Sequence, residues 1–298
     1  MNPSSRPFLL GCHLSIAKGF VRAIDEAENL GNTALQIFSR SARTWRTKPI
    51  DSQDAQAFRT RLAESSVRYV VVHATYLANL ASPDPELYER SIEAMIVEVQ
   101  RAALLGIGRL VFHPGSHVGS GPDAGVRRVV DALNRVISSS SFQQAENLML
   151  LVENTAGSGS SIGSSFAELG QILDGVRDSR RFGVCLDTCH AHAAGIDLRT
   201  PVCVEAALDA ADRVFGSRRL DLIHLNDAAS ALGSRRDRHA HIGRGEIGDE
   251  GFAAILQSPR LRDLPFVLET PKEIDGQSGA DRLNLTRVRK LRDQGAQS

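Results

Sequence analysis

Six side chains able to bind a metal recur at one kind of place, directly after a short apolar run. His73 follows Tyr69–Val72, His113 follows Leu110–Phe112, Glu153 follows Leu148–Val152, and Asp187 follows Phe182–Leu186. His224 follows Leu-Asp-Leu-Ile within the run Leu220–Leu225, and Glu269 follows Phe266–Leu268. Three imidazoles and three carboxylates make a mixed nitrogen–oxygen donor set, which suits zinc or manganese and is poor for magnesium. A single His or Asp after a strand is ordinarily a turn or cap residue. Six in succession, all His, Asp or Glu, are not accounted for in that way. If the runs are strands, alternation puts Gly183 and Cys185 on the face of Asp187, and Val71 on that of His73. The polar ends would then converge above a layer of small or apolar groups.

Further donors lie in the connections. Asp187-Thr-Cys-His190 sets a histidine three residues beyond a strand end, and Arg236-Asp237-Arg238-His239 holds a D-x-H pair in a polar loop. His190, Asp237 and His239 have no place among the first six and could form a third set, since a zinc with three protein ligands keeps one position open. His13 is read as packing at the first strand end or supporting a ligand from behind. His117, His192 and His241 are read as supporting or surface residues. Two patterns are set aside. Gly243-Arg-Gly245-Glu-Ile-Gly248 matches GxGxxG but does not leave the first strand of a βαβ unit, so a dinucleotide role is not expected. Cys185 and Cys189 form only a lone i, i+4 pair, and Cys185 reads as barrel filling.

These side chains need parallel strands to carry them. The runs Phe8–Cys12 and Ala34–Phe38 precede the six above, giving eight. Most lack alternation, as expected of strands buried on both faces. Amphipathic stretches lie between them: Ile16–Leu30, Pro85–Leu105, Asp123–Ser138, Ser165–Leu173, Pro201–Phe215, Asp249–Gln257 and a closing Leu283–Arg292. Alternating β and α leaves an open doubly wound sheet or a closed barrel, and eight strands favour a (β/α)₈ TIM barrel with the metal site at the strand C-terminal ends. The serine run Ser138–Ser141 reads as a connection, and no linker divides residues 1–298, so one domain is expected, with the tail from Gly295 onward disordered.

The chain has 298 residues, 42% hydrophobic and 23% charged, with 35 basic residues against 35 acidic. Zero net charge does not advertise a nucleic-acid binder, but DNA meets a local face rather than the sum. Cys12, Cys185, Cys189 and Cys203 form no CxxC pair, no secretory leader precedes them, and no apolar run approaches the ~20 residues of a membrane span. A reduced, cytoplasmic setting without membrane association is expected.

The motifs FHPGSH (112–117), ENTAGSGS (153–160), CLDTCHAHAAGIDLRT (185–200), HLNDA (224–228), GSRRDRHAHIGRGEIG (233–248) and LETP (268–271) together resemble the endonuclease IV family of apurinic/apyrimidinic endonucleases, from about Gly11 to Glu269. The resemblance implies a (β/α)₈ barrel with three zinc ions. His73 and His113 would bind the first, Glu153 would bridge it to the second, Asp187, His224 and Glu269 would complete the second, and His190, Asp237 and His239 would hold the third. It also implies that Arg43, Tyr76 and Leu77 prop the gap left when an abasic nucleotide is flipped out, which a missing base makes cheaper.

The expected activity is hydrolysis of the phosphodiester 5′ to abasic sites in double-stranded DNA, leaving 3′-hydroxyl and 5′-deoxyribose phosphate ends, by a monomer with Glu153 as the catalytic residue. A divalent-metal sugar isomerase or epimerase on the same barrel is the alternative, because the six strand-end ligands alone do not separate the two. The third set, with Arg43 and Tyr76 in their loops, does. A non-catalytic DNA-binding protein that keeps the cluster for structure is a third class, marked by binding without incision.

Overall fold

The computed structural model describes residues 7–294; the tail from Gly295 onward lies outside the described residues. Eight parallel strands close into a barrel: β1 (Leu10–Leu14), β2 (Ala34–Phe38), β3 (Tyr69–His73), β4 (Arg109–Phe112), β5 (Met149–Glu153), β6 (Phe182–Asp187), β7 (Leu220–His224) and β8 (Phe266–Leu268). Each pairs with its sequence neighbours, and β8 closes against β1 with Val267 opposite Gly11. All eight runs read from the sequence are strands, β1 lying two residues later than expected.

The strands read as continuous apolar runs because both faces are buried. Ala34, Val71, Val111, Leu151, Cys185, Leu222 and Val267 fill the barrel interior. The alternate residues, such as Val72, Leu110, Val152 and Ile223, face the surrounding helices. Gly11 is required where β1 passes β2, since a Cβ there would lie 1.7 Å from the Ala34 carbonyl oxygen. Below the layer, Tyr69 Oη and Arg109 Nε both donate to Asp221 Oδ1, at 3.0 and 2.9 Å, which plugs the floor.

The helices are α1 (Phe20–Asn29), α2 (Ser52–Glu64), α3 (Pro85–Leu105), α4 (Pro122–Ile137), α5 (Ser140–Gln144), α6 (Phe166–Gly175), α7 (Thr188–Ala193), α8 (Pro201–Val214), α9 (Gly248–Gln257) and α10 (Ala280–Gln294). α1 starts later than the Ile16 expected, because Gly19 at φ 100° breaks the chain direction before Phe20. α2 is absent from the sequence reading: it buries only Ala55 and Phe58, so its apolar stripe is faint, and its start is set by Asp51 capping Gln53 N–H. The serine run is not merely a connection. Ser139 caps Phe142 N–H and starts α5, whose Phe142 is buried. α7 is likewise absent from the sequence reading, and it matters for the site. No helix among the described residues is long and apolar enough to cross a membrane.

Candidate metal centre

Because inward positions alternate, each interior residue is followed two places later by a side chain at the mouth: Val71 by His73, Val111 by His113, Leu151 by Glu153, Cys185 by Asp187, Leu222 by His224 and Val267 by Glu269. Glu153, fully buried, lies at the middle of them. Its Oε2 is 3.0 Å from His73 Nε2 and 3.5 Å from His113 Nε2. Its Oε1 is 3.1 Å from His224 Nδ1 and 3.3 Å from His190 Nδ1. His224 Nδ1 is also 3.3 Å from Glu269 Oε2. Donor atoms of His73, His113 and Glu153 lie within 4.8 Å of one another, as do those of Glu153, Asp187, His224 and Glu269.

The loop donors arrive by two local devices. Asp187 Oδ1 accepts His190 N–H at 2.7 Å, so the strand-end carboxylate caps α7 and thereby sets His190 beside itself. Asp227–Ala228 pairs antiparallel with His239–Ala240, a short ribbon that folds the β7–α9 loop back over the mouth. Asp237 then stands between two rings, Oδ2 3.3 Å from His190 Nε2 and Oδ1 3.4 Å from His239 Nε2. Within 4.8 Å the compact triads are Asp187, His190 and His239, and Cys189, Asp237 and His239. Burial pushes the Cys185 and Cys189 thiols up to about 12.

The imidazoles are held from behind. A carbonyl can only accept, so His73 Nδ1 donates to Ala74 O at 2.7 Å, His190 Nδ1 to Asn154 O at 2.9 Å, and His239 Nδ1 to Glu269 O at 3.1 Å. In the neutral ring each leaves its Nε2 lone pair toward the cluster, the arrangement that orients a metal-binding histidine. His239 Nε2 is buried and finds no hydrogen-bond partner among the described residues. An orphaned ring nitrogen among carboxylates fits a cation, and nitrogen plus oxygen donors fit zinc.

The electrostatics agree. Burial alone would raise the Glu153 carboxyl, but His113 and His224, with hydrogen bonds from His190 and His224, hold it well below the carboxylate range. Burial likewise opposes charge on Glu269, and His224 brings it down to about 2. Burial also opposes a proton on His190 and His224. The Asp187 charge on the first, and Cys185 with Glu269 and Glu153 on the second, lift both well above the usual histidine value. Without cations, protons balance this cluster, so cation binding must release them.

Several supporting residues escape the sequence reading. Gln36, fully buried in the middle of β2, reaches Glu269, His224 and His13; its signal is a lone amide inside an apolar run. Asn226 Nδ2 donates to Asp187 Oδ2 at 2.6 Å, and Asn154 Oδ1 accepts Asp187 N–H at 2.7 Å. The GxGxxG match has a different role from phosphate binding. Gly243 and Gly245 N–H donate to Asp227 Oδ2, both at 2.9 Å, and Ile247 N–H to Oδ1 at 3.0 Å. A Cβ on Gly245 would sit 2.6 Å from Asp227 Oδ1. The glycine loop thus wraps a carboxylate of the chain itself and fixes the loop that carries Asp237 and His239.

His13 is half-buried near Glu269 Oε1, at 3.8 Å, and desolvation lowers it to about 3. His117 and His241 make local contacts to Gly121 N–H and the Glu273 carbonyl. His192 is 1% exposed, yet neither ring nitrogen has a hydrogen-bond partner among the described residues. Burying polar groups unpaired costs about 1–3 kcal/mol, so His192→Phe should raise the thermal midpoint. Burial lowers the His192 pKa, so the unfolded chain takes up the proton first as pH falls. The wild type therefore loses stability below about 6.5 and the variant's advantage should widen there; thermal melts at several pH values check both.

The remaining sequence-predicted residues line the mouth. Tyr76, 58% exposed, stacks near His73, His113 and Phe38 with ring centroids 5.3, 6.0 and 5.3 Å apart. Leu77 is half-buried beside it, and Arg43 is exposed in the β2–α2 loop. Thr75 Oγ1 donates to Ala42 O at 2.9 Å and ties the two loops together. Arg40 Nε and Ser39 Oγ donate to buried Glu98 at 2.7 and 2.6 Å, anchoring the Arg43 loop to α3. A cavity of about 370 Å³ opens beside the cluster, lined by Tyr76, Asn79, His113, Ser116, His190 and Asp237 among others.

A closed parallel barrel carrying cation-binding side chains on its strand ends is the design of a TIM-barrel enzyme, and residues 24–289 match the xylose isomerase-like TIM barrel family. The chain is 46% identical to the probable endonuclease 4 of Methanoculleus marisnigri, covering 95% of this chain and 98% of that protein. It is 43% identical to the probable endonuclease 4 of Halothermothrix orenii, covering 93% and 99%. The crystal structure of endonuclease IV from Thermus thermophilus superposes with a TM-score of 0.82 at 39% identity, covering 97% of this chain and all of that one. The chain belongs to the endonuclease IV family.

Proposed function

We propose that the protein is a zinc-dependent DNA-repair endonuclease that hydrolyses the phosphodiester 5′ to abasic sites in duplex DNA, leaving a 3′-hydroxyl and a 5′-deoxyribose phosphate. One observation supports this above the others: donor clusters of His73, His113 and Glu153, of Glu153, Asp187, His224 and Glu269, and of Asp187, His190 and His239 are joined through Glu153 and Asp187 beside an open cavity, with Asp237 3.3 and 3.4 Å from His190 and His239. In this reading His73, His113 and Glu153 hold one zinc. Glu153, Asp187, His224 and Glu269 hold a second, and His190, Asp237 and His239 a third. Zinc at such sites supplies Lewis acidity toward a phosphodiester and acidifies water toward neutral pH.

The chain's own residues do the rest. Glu153 spans the first two clusters and holds their spacing. The carbonyls of Ala74, Asn154 and Glu269 hold the ring protons of His73, His190 and His239 away from the reacting face. Tyr76 and Leu77, tied to the Arg43 loop, fill the gap in the duplex, and the adjacent cavity receives the sugar. Arg43, Arg235, Arg236 and Arg238 are exposed around the mouth and make no ion pair among the described residues. They give the neutral chain a local basic face for phosphates. Every proposed ligand comes from one chain, so a monomer completes the site, and the buried free thiols suit a reducing cytoplasm.

The test is incision of a duplex bearing a single tetrahydrofuran abasic analogue. Cleavage immediately 5′ to the analogue is expected, lost with a zinc chelator and restored by added zinc. Binding without incision in the presence of zinc would overturn the assignment.

A further inference from the structure

Among the described residues, Gln36 is the one fully buried amide that faces the centre from a strand without a metal-capable end. Its Nε2 lies 2.5 Å from Glu269 Oε1 and 3.0 Å from His13 Nδ1, and its Oε1 lies 2.7 Å from His224 Nε2. Only one orientation of the amide satisfies all three. A carboxylate oxygen only accepts, so the NH₂ group must face Glu269; its second hydrogen then points at the His13 lone pair. The amide oxygen must therefore accept from His224 Nε2–H. When a cation displaces the extra proton of His224, the proton that remains is the one held on Nε2, and Nδ1 offers its lone pair toward Glu153 and Glu269, 3.1 and 3.3 Å away. Turning the amide over would set two oxygens 2.5 Å apart.

We propose that Gln36 is a positioning residue for cation binding by Glu153, Asp187, His224 and Glu269: its amide dictates which nitrogen of His224 faces that cluster and where the Glu269 carboxylate points. The proposal rests on the zinc reading above. Gln36 touches no substrate. It acts through two ligands at once, which no strand-end carbonyl does here: one hydrogen bond fixes a tautomer, the other fixes a carboxylate. Partners of this kind are worth about 10–100-fold in metal affinity.

The experiment is zinc competition against a chromophoric chelator, comparing the wild type with Gln36→Met, which keeps the length of the side chain and removes every hydrogen bond. One zinc equivalent should bind about 10–100-fold more weakly in the variant, with the others unchanged. Its kcat on the tetrahydrofuran duplex should fall while KM holds. Equal zinc affinity in variant and wild type would overturn the role of Gln36 and leave the zinc reading intact; a wild-type protein that takes up no zinc would overturn both. If Gln36→Met does not fold, imidazole ¹⁵N spectra of the zinc-loaded wild type decide the matter. A His224 proton on Nε2 supports the proposal, and one on Nδ1 refutes it.

Discussion

Glu153→Gln should lower single-turnover incision of an abasic duplex by about 10³-fold or more, a loss of roughly 4 kcal/mol of transition-state stabilisation. Each oxygen of Glu153 serves two imidazoles: Oε2 faces His73 and His113, and Oε1 faces His224 and His190. Glutamine has the same shape but offers one acceptor and no charge. Whichever way it turns, its NH₂ group confronts two ring nitrogens that the carboxylate had faced with a lone pair. The barrel should survive, because the side chain keeps its volume on the layer of Leu151 and its neighbours. Circular dichroism and zinc content measured beside the rate separate the cases. A variant with its full complement of zinc and near-wild-type incision would end the bridging role assigned to Glu153.

The second large effect concerns the loop donors. The double variant Asp237→Ala with His239→Ala should carry about two zincs per chain in place of about three and incise about 10²-fold more slowly. Asp237 is 53% exposed, so little packing depends on it and the barrel should melt near the wild-type temperature. Asp227, which the glycine loop wraps, remains to hold the segment. A sugar isomerase or epimerase on this barrel would need only the strand-end ligands, and metal content by mass spectrometry would then be unchanged by the double variant. His190 and His224 hold protons tightly in the cation-free cluster. Zinc must displace them, so affinity in both proteins should fall as pH falls.

The strand ends are legible in the sequence because a strand buried on both faces leaves a plain apolar signal, and His, Asp or Glu directly after it stands out. The same signal hides Gln36, which sits within Ala-Leu-Gln-Ile-Phe rather than at its end and becomes visible only when β2 is paired with β1 and β3. α2 escapes because two buried residues make a weak stripe. α7 escapes because Thr-Cys-His-Ala-His-Ala is short and its start depends on a ligand serving also as a cap. His190, Asp237 and His239 are recognisable as residue types, but the way they meet is not readable. That depends on a ribbon of two residues on each side and on a carboxylate held by backbone amides, and both are tertiary facts.

β8 is the last of the barrel strands to leave the ribosome, yet it must slot between β7 and the first of them. Until it does, the sheet is open, with bare edges, and the pocket lacks Glu269. A growing polypeptide therefore carries its histidines and carboxylates unassembled through most of synthesis, and the complete cluster comes into being in the step that seals the cylinder. Of the donor groups, the one that includes Glu269 can therefore be completed only when β8 is in place.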